Sequence, residues 1–158
     1  MKIRLKRYSK NFPAYFKKEK RALSKFGELE IQHIGSSAVP GLSGKGWIDI
    51  LIIIKNPKLM NDLIKRLESY GYKKAKTQRK ERVFLSKKKG KLQYNLHVYS
   101  KKNKKAQEQI AFVKYLKKNP KEAKKYWEFK KEIFRKAERE RKRYRKLKEG
   151  YFKRIMRK

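Results

Sequence analysis

The run Trp47-Ile-Asp-Ile-Leu-Ile-Ile-Ile54 constrains this chain more than any other segment, because its apolar, largely β-branched residues are interrupted only by Asp49. Such a run reads as a strand, and a carboxylate inside a strand needs a reason. Upstream, Glu28 to Ile34 alternates polar and apolar side chains as a half-buried strand does, until Gly35 breaks the pattern. The connecting loop contains Gly35, Gly41, Gly44 and Gly46, which permit positive φ and close backbone approach. It also contains Ser36, Ser37 and Ser43, whose hydroxyls bond phosphate or cap a helix. A small-residue loop feeding a strand carboxylate is how a phosphate-handling site is built. Amides and hydroxyls meet the phosphate oxygens, and a hard Mg²⁺ takes oxygen ligands beside them. Two readings of Asp49 follow: a metal ligand, or a structural acid bonded to loop amides or to Lys45. Lys45 is the only basic residue of the loop and strand. It pairs either with a phosphate or with Asp49 itself.

The flanking pattern predicts a helix capped by Asn11, with Pro13 in its first turn and Phe12, Phe16 and Leu23 on its apolar side. A second helix is predicted from Pro57, with Leu59, Leu63, Ile64 and Leu67 at helical spacing and Gly71 as its terminator. Strands at about 80–86 and 92–99 flank a turn over Lys87 to Lys91, and the four strands are expected to form one mixed sheet. A helix over about 104–118 follows. The next begins at Asn119, Pro120 and Glu122, which suit N-cap, N1 and N3. Tyr115, Tyr126, Tyr144 and Tyr151 fall at core spacing. The charged stretch Glu138 to Arg143 predicts an exposed segment, a kink or a helix junction, and Gly150 offers a second break.

Composition narrows the chemistry. With no cysteine and two histidines, disulfides, thiolate catalysis and cysteine- or histidine-rich zinc sites are excluded, so any metal is oxygen-bound. The longest uninterrupted apolar run is Ile50 to Ile54, far short of a membrane span, and the basic start lacks the apolar stretch of a secretion signal. The expectation is a cytoplasmic protein without a membrane partner. The net charge is +36. Residues 1–27 hold ten Lys/Arg against one acid and residues 100–158 hold 25 against seven, whereas residues 28–54 hold one lysine and three acids. Cationic helices thus flank a loop and strands without basic excess. A field of this strength concentrates polyanions, whether nucleotide, RNA or DNA. A general lysine bias of the source accounts for the charge equally well.

Gly35-Ser36, twelve residues, then Asp49 resembles the signature of the nucleotidyltransferase superfamily, in which Gly-Ser contacts nucleotide phosphates and strand carboxylates hold divalent metal. The segment from His33 to Ile50, HIGSSAVPGLSGKGWIDI, more closely resembles the GrpB family pattern HIGSTAVPGLAAKPIIDI, a branch of that superfamily. The resemblance extends through Tyr8 to Pro13, Arg82 to Leu85, Asn95 to Val98 and the tail from Phe112 to Lys148. It implies an α+β fold, a nucleotidyltransferase-like small mixed β-sheet packed by helices. One domain is expected over residues 1–158, with a sheet-containing core over 1–99 and C-terminal helices over 100–158.

The expected function is binding of a nucleotide or another phosphorylated ligand at Gly35, Ser36, Ser37 and Lys45, with Asp49 on Mg²⁺, and the resemblance implies Arg82, His97 and Lys148 near the pocket. The chain departs from the superfamily pattern in its acids. Position 51 is Leu, and neither 82–86 nor 92–99 contains a carboxylate. Two-metal phosphoryl transfer needs several anionic oxygens, so ligand binding is better supported than catalysis. His97 stands as a substitute ligand, a general acid or base, or a structural histidine. The alternative function is a noncatalytic RNA-binding module that uses the basic helices, and a third combines both, with nucleotide transfer to a bound RNA end.

Overall fold

The strand containing Asp49 lies inside a five-stranded mixed sheet in the computed structural model, which describes residues 4–157. The strands are β1 (Leu29–Ile34), β2 (Ile48–Ile54), β3 (Lys73–Lys74), β4 (Val83–Lys89) and β5 (Leu92–Ser100), in spatial order β1-β2-β5-β4-β3. Only the β2 and β5 pair is parallel. The helices are α1 (Phe12–Leu23), α2 (Met60–Ser69), α3 (Lys104–Lys118), α4 (Pro120–Lys136) and α5 (Arg141–Met156). The fold is therefore α+β, a small mixed sheet packed by helices. The expected four strands are joined by a fifth, the two-residue β3, too short to leave a sequence pattern.

β2 lacks polar alternation because both of its faces are covered. Ile48, Ile50, Ile52 and Ile54 pack with Phe12, Leu23, Leu63 and Leu67 from the α1 and α2 side. Leu51 and Ile53 pack with Ala106, Ile110, Val113, Leu116, Tyr126 and Tyr151 from α3, α4 and α5. Each such side chain contributes about 1.5–3 kcal/mol on burial. Asp49 shares the second face with Leu51 and Ile53, at the strand end where the apolar layer stops.

Local signals were realised unevenly. Gly71 (φ 107°) follows α2 as expected, with its N–H bonded to the Glu68 carbonyl and that of Tyr72 to Leu67. Pro57 opens a short 3₁₀ turn (Pro57–Leu59) ahead of α2, with Asn56 accepting from the Lys58 amide. Asn11 makes no side-chain cap to α1 because it already has helical backbone angles. Asn119 does not cap α4 with its side chain either; its amide group donates back to the Tyr115 carbonyl at the end of α3. The turn expected over Lys87 to Lys91 tightens to Gly90-Lys91, since Lys89 pairs with Leu92 and Gly90 supplies φ 62°.

Tyr126, Tyr144 and Tyr151 are buried, but Tyr115 is exposed. The charged stretch is a helix junction. Glu138 and Arg139 take positive φ, and the Glu140 carboxylate accepts from the Lys142 and Arg143 amides to start α5. Gly150 breaks nothing and lies within α5, where an added Cβ meets no atom within 4 Å. Gly150→Ala should therefore raise stability by about 0.5–1 kcal/mol, read as a higher Tm; an unchanged or lower Tm would contradict this placement.

No helix among the described residues is long and apolar enough to cross a membrane.

Candidate functional site

The strand register assembles the polar cluster. Asp49 stands beside Ile34 of β1 and Asn95 of β5, while His97 stands opposite Leu51 on β2 and Phe84 on β4. The alternation of strand side chains puts Asp49, Asn95 and His97 on one face. Asn95 Nδ2 donates to Asp49 Oδ1 at 3.1 Å, and His97 Nε2 lies 3.5 Å from the same oxygen. Arg82 donates to His97 Nδ1 at 3.0 Å, which leaves the neutral imidazole proton on Nε2, facing Asp49. Burial alone would raise the Asp49 carboxyl. The hydrogen bonds from His97 and Asn95 and the charge of Lys148 outweigh it and hold the group below its ordinary value.

Two glycines of the loop, Gly35 and Gly44, are there for close approach. Gly35 has φ 73°, and a Cβ on it would lie 2.7 Å from Asp49 Oδ2. A Cβ on Gly44 would overlap Ser36 Oγ and stand 3.6 Å from Lys130 Nζ. Gly44 is also bonded in both directions to the Lys6 backbone, at 2.6 and 3.1 Å, so the N-terminal segment pins the loop.

Ser37 has a partner of its own. Its side chain is buried and its hydroxyl is bonded to His33 Nε2 at 2.8 Å, which leaves Ser36 as the hydroxyl beside Gly44. His33 in turn stacks on Phe16, and burial, with the charge of Lys117, pushes it down to about 4.

Around Asp49 the charge is one-sided. Lys130, from α4, is 3% exposed and donates to the Ser43 carbonyl at 2.6 Å. Burial first, and then Lys148 and Lys45, push its ammonium well below the ordinary value, against the opposing effect of Asp49. Lys148, from α5, is lowered by burial, with Asp49 opposing. Lys45 is pushed down to about 8 by burial and by Lys148 and Arg141, again against Asp49. Neither pairs with Asp49 at ion-pair distance. Instead Lys45 Nζ sits 4.9 Å from the Trp47 ring centre, with the Arg141 guanidinium 5.7 Å from the same ring. Among the described residues, two buried side-chain nitrogens lack a hydrogen-bond partner, Arg82 Nε and Arg141 Nε.

Gly35, Ser36, Lys45, Asp49, Arg82, His97 and Lys148 thus belong to one connected cluster, while Ser37 faces away from it. Lys130 and Arg141 were missed. Lys130 was legible in principle, since it shares the Tyr126, Ile133 and Ala137 stripe that α4 turns inward. Arg141 sat in an undifferentiated charged run.

The donor set does not suit a divalent cation. Mg²⁺ needs several oxygen ligands, but Leu51 occupies the position two residues after Asp49 and Asn95 the facing position on β5, and three lysines crowd the one carboxylate. Among the described residues, no group of three or more His, Asp or Glu could hold a metal ion.

Comparison with known proteins gives the family and the fold. The family model described as GrpB protein matches residues 2–158. The chain is 27% identical over 136 residues to the UPF0157 protein YqkA of Bacillus subtilis, covering 84% of this chain and 40% of that protein. It is 32% identical over 123 residues to the UPF0157 protein BH1888 of Halalkalibacterium halodurans, covering 74% and 62%. The chain therefore spans less than two thirds of either relative. The crystal structure of the conserved protein GrpB from Enterococcus faecalis superposes with a TM-score of 0.83 at 27% identity, covering 98% of this chain and 95% of that one. A Cid1 poly(U) polymerase with Mg 3'-dATP bound superposes at a TM-score of 0.53 and 16% identity, covering 84% of this chain and 45% of that one. A cytoplasmic RNA terminal U-transferase gives 0.53 and 16%, covering 81% and 44%. At that identity the likeness is one of fold.

Proposed function

The chain belongs to the GrpB family and carries a nucleotidyltransferase-like fold, and from this we propose that it binds a nucleotide or another phosphorylated ligand at the cluster between Ser36 and Asp49. The observation that carries this reading is the surplus of positive charge there. Lys45, Lys130 and Lys148 all feel the charge of the one carboxylate, Arg82 bonds its neighbour His97, Arg141 lies over Trp47, and the two guanidinium groups hold buried Nε donors without partners. A buried donor left unpaired costs about 1–3 kcal/mol, and a phosphate oxygen relieves that cost. Gly35 and Gly44 let the loop lie against the site, and Ser36 offers a hydroxyl. Asp49 and His97, held by Asn95 and Arg82, form its floor. A single carboxylate already bonded to Asn95 gives no basis for two-metal transfer, so the function proposed is binding.

Calorimetric titration of the full chain with ATP, GTP, CTP and UTP tests the proposal. Saturable binding to at least one, weakened in the Lys45→Met and Arg82→Met variants, is expected; no binding to any of the four removes the reading.

The affinity should also depend on pH. A bound phosphate favours the Lys45 ammonium, so the bound-state pKa lies above the free-state value of about 8. Affinity is then full below pH 8 and declines as pH rises above it. Burial sets this value first, and then the charges of Lys148, Arg141 and Arg145 against that of Asp49. Lys45→Met should remove the break near pH 8, and a wild-type profile flat through pH 9 would contradict the assignment.

A second reading has its own support. Arg79, ion-paired with Glu149 at 3.6 Å, and Arg145 add positive charge close to Arg82 and Arg141. Such charge suits an RNA chain whose terminal phosphate enters the cluster. RNA affinity should then fall steeply with salt, and failure to retain RNA at physiological salt would exclude this reading.

A further inference from the structure

Lys130 is the least explained group in the molecule. A lysine this deeply buried ordinarily has a carboxylate partner, yet none lies within ion-pair distance among the described residues, and its bonded neighbour is the neutral Ser43 carbonyl. Its Nζ stands beside the Gly44 backbone and the Ser36 hydroxyl, the narrowest part of the loop. Lys45 and Lys148 likewise make no ion pair, and Asp49 is the carboxylate whose charge reaches all three. With all three protonated, as an arriving anion would hold them, two ammonium charges remain after Asp49 is counted, with the free Arg82 and Arg141 Nε donors beside them.

On the ligand-binding reading above, we infer that this cluster takes a compact polyphosphate group, a di- or triphosphate, as its metal-free anion, with the ammonium groups of Lys130, Lys45 and Lys148 supplying the positive charge that a divalent cation would otherwise bring. A monophosphate leaves part of this charge unanswered, whereas a di- or triphosphate matches it. A divalent ion entering the cluster meets three ammonium groups and one carboxylate already bonded to Asn95, so it is repelled rather than held. Magnesium bound to the nucleotide also cancels the charge the lysines would meet. The depressed basicity of Lys130 adds a readout. An arriving anion favours the charged form, so binding draws protons from solution.

The test is titration calorimetry of the full chain with ATP, and separately with pyrophosphate, in EDTA and in excess Mg²⁺, each in two buffers of different ionisation enthalpy. Binding should be tighter in EDTA than in Mg²⁺, by about tenfold, and accompanied by proton uptake. Lys130→Met removes a buried charge at nearly constant volume, so its thermal transition should persist. Its affinity in EDTA should drop about tenfold or more and its proton uptake should shrink. Lys148→Met provides a second variant with the same expected loss should the first fail to fold. Binding that requires Mg²⁺, or wild-type affinity in both variants, overturns the inference while leaving phosphorylated-ligand binding intact. Absence of binding in EDTA and in Mg²⁺ alike overturns that reading and the inference with it.

Discussion

Gly44→Ala should abolish ATP binding and lower stability by about 1–3 kcal/mol. The added Cβ would overlap Ser36 Oγ and lie 2.8 Å from Ser36 Cβ, so rotating the hydroxyl does not make room. The loop cannot simply retreat, because the Gly44 amide and carbonyl are both bonded to Lys6. Lys130 is equally fixed on the far side by the Ser43 carbonyl. The substitution therefore displaces the hydroxyl and the buried ammonium together. Gly41→Ala is a control for affinity alone: its Cβ meets nothing within 4 Å, so its cost, the strain of φ 79°, falls on stability and leaves ATP binding unchanged. Thermal melting with ATP titration checks both. Wild-type affinity in Gly44→Ala would show that the narrow part of the loop is not where the ligand sits.

The largest loss of stability should come from Glu19→Ala, about 3–5 kcal/mol, with ATP affinity of the folded protein unchanged. Glu19, buried on α1, accepts from Tyr72 Oη and from Lys87 Nζ, each at 2.7 Å. The Lys87 ammonium lies 3.8 Å from the Tyr70 ring centre and 4.6 Å from that of Tyr72. Removing the carboxylate strands a nearly buried cation and a buried phenol at once. This network belongs to the α1 and α2 face, whereas the lysine cluster belongs to the other. Glu19→Ala with Lys87→Met should recover much of the loss, since no unpaired charge remains. Urea unfolding measures the effect; a loss under about 1 kcal/mol for the single variant would show that water reaches Lys87 and replaces its partner.

The sheet and the loop were legible because their signals are local and repeated. An unbroken β-branched run, a period-two run before it and glycines between them admit few arrangements. Caps were less legible. Asn11 and Asn119 have the right identity, but their side chains went unused or were drawn to the preceding helix, a choice made by backbone angles that residue type does not fix. Gly150 was misread because an exposed glycine weakens a helix without ending it when tertiary packing holds both sides. Half of the site was visible from His33 to Asp49 in one segment. The other half, Lys130 and Arg141, comes from helices about ninety residues away in sequence. In a chain with 50 Lys and Arg, the identity of a lysine marks nothing by itself, and only its place on the Tyr126 and Ile133 stripe sets Lys130 apart. Ser37 illustrates the converse, since the right residue in the right loop turned its hydroxyl to His33.

The most direct test of the account is a crystal structure of the full chain grown with ATP in EDTA. Phosphate density between Ser36 and Asp49, within hydrogen-bond distance of Lys45 Nζ, Lys130 Nζ or the Arg82 and Arg141 Nε groups, is the predicted result. Density confined to the outer basic helices, with the cluster empty at saturating ATP, would contradict it.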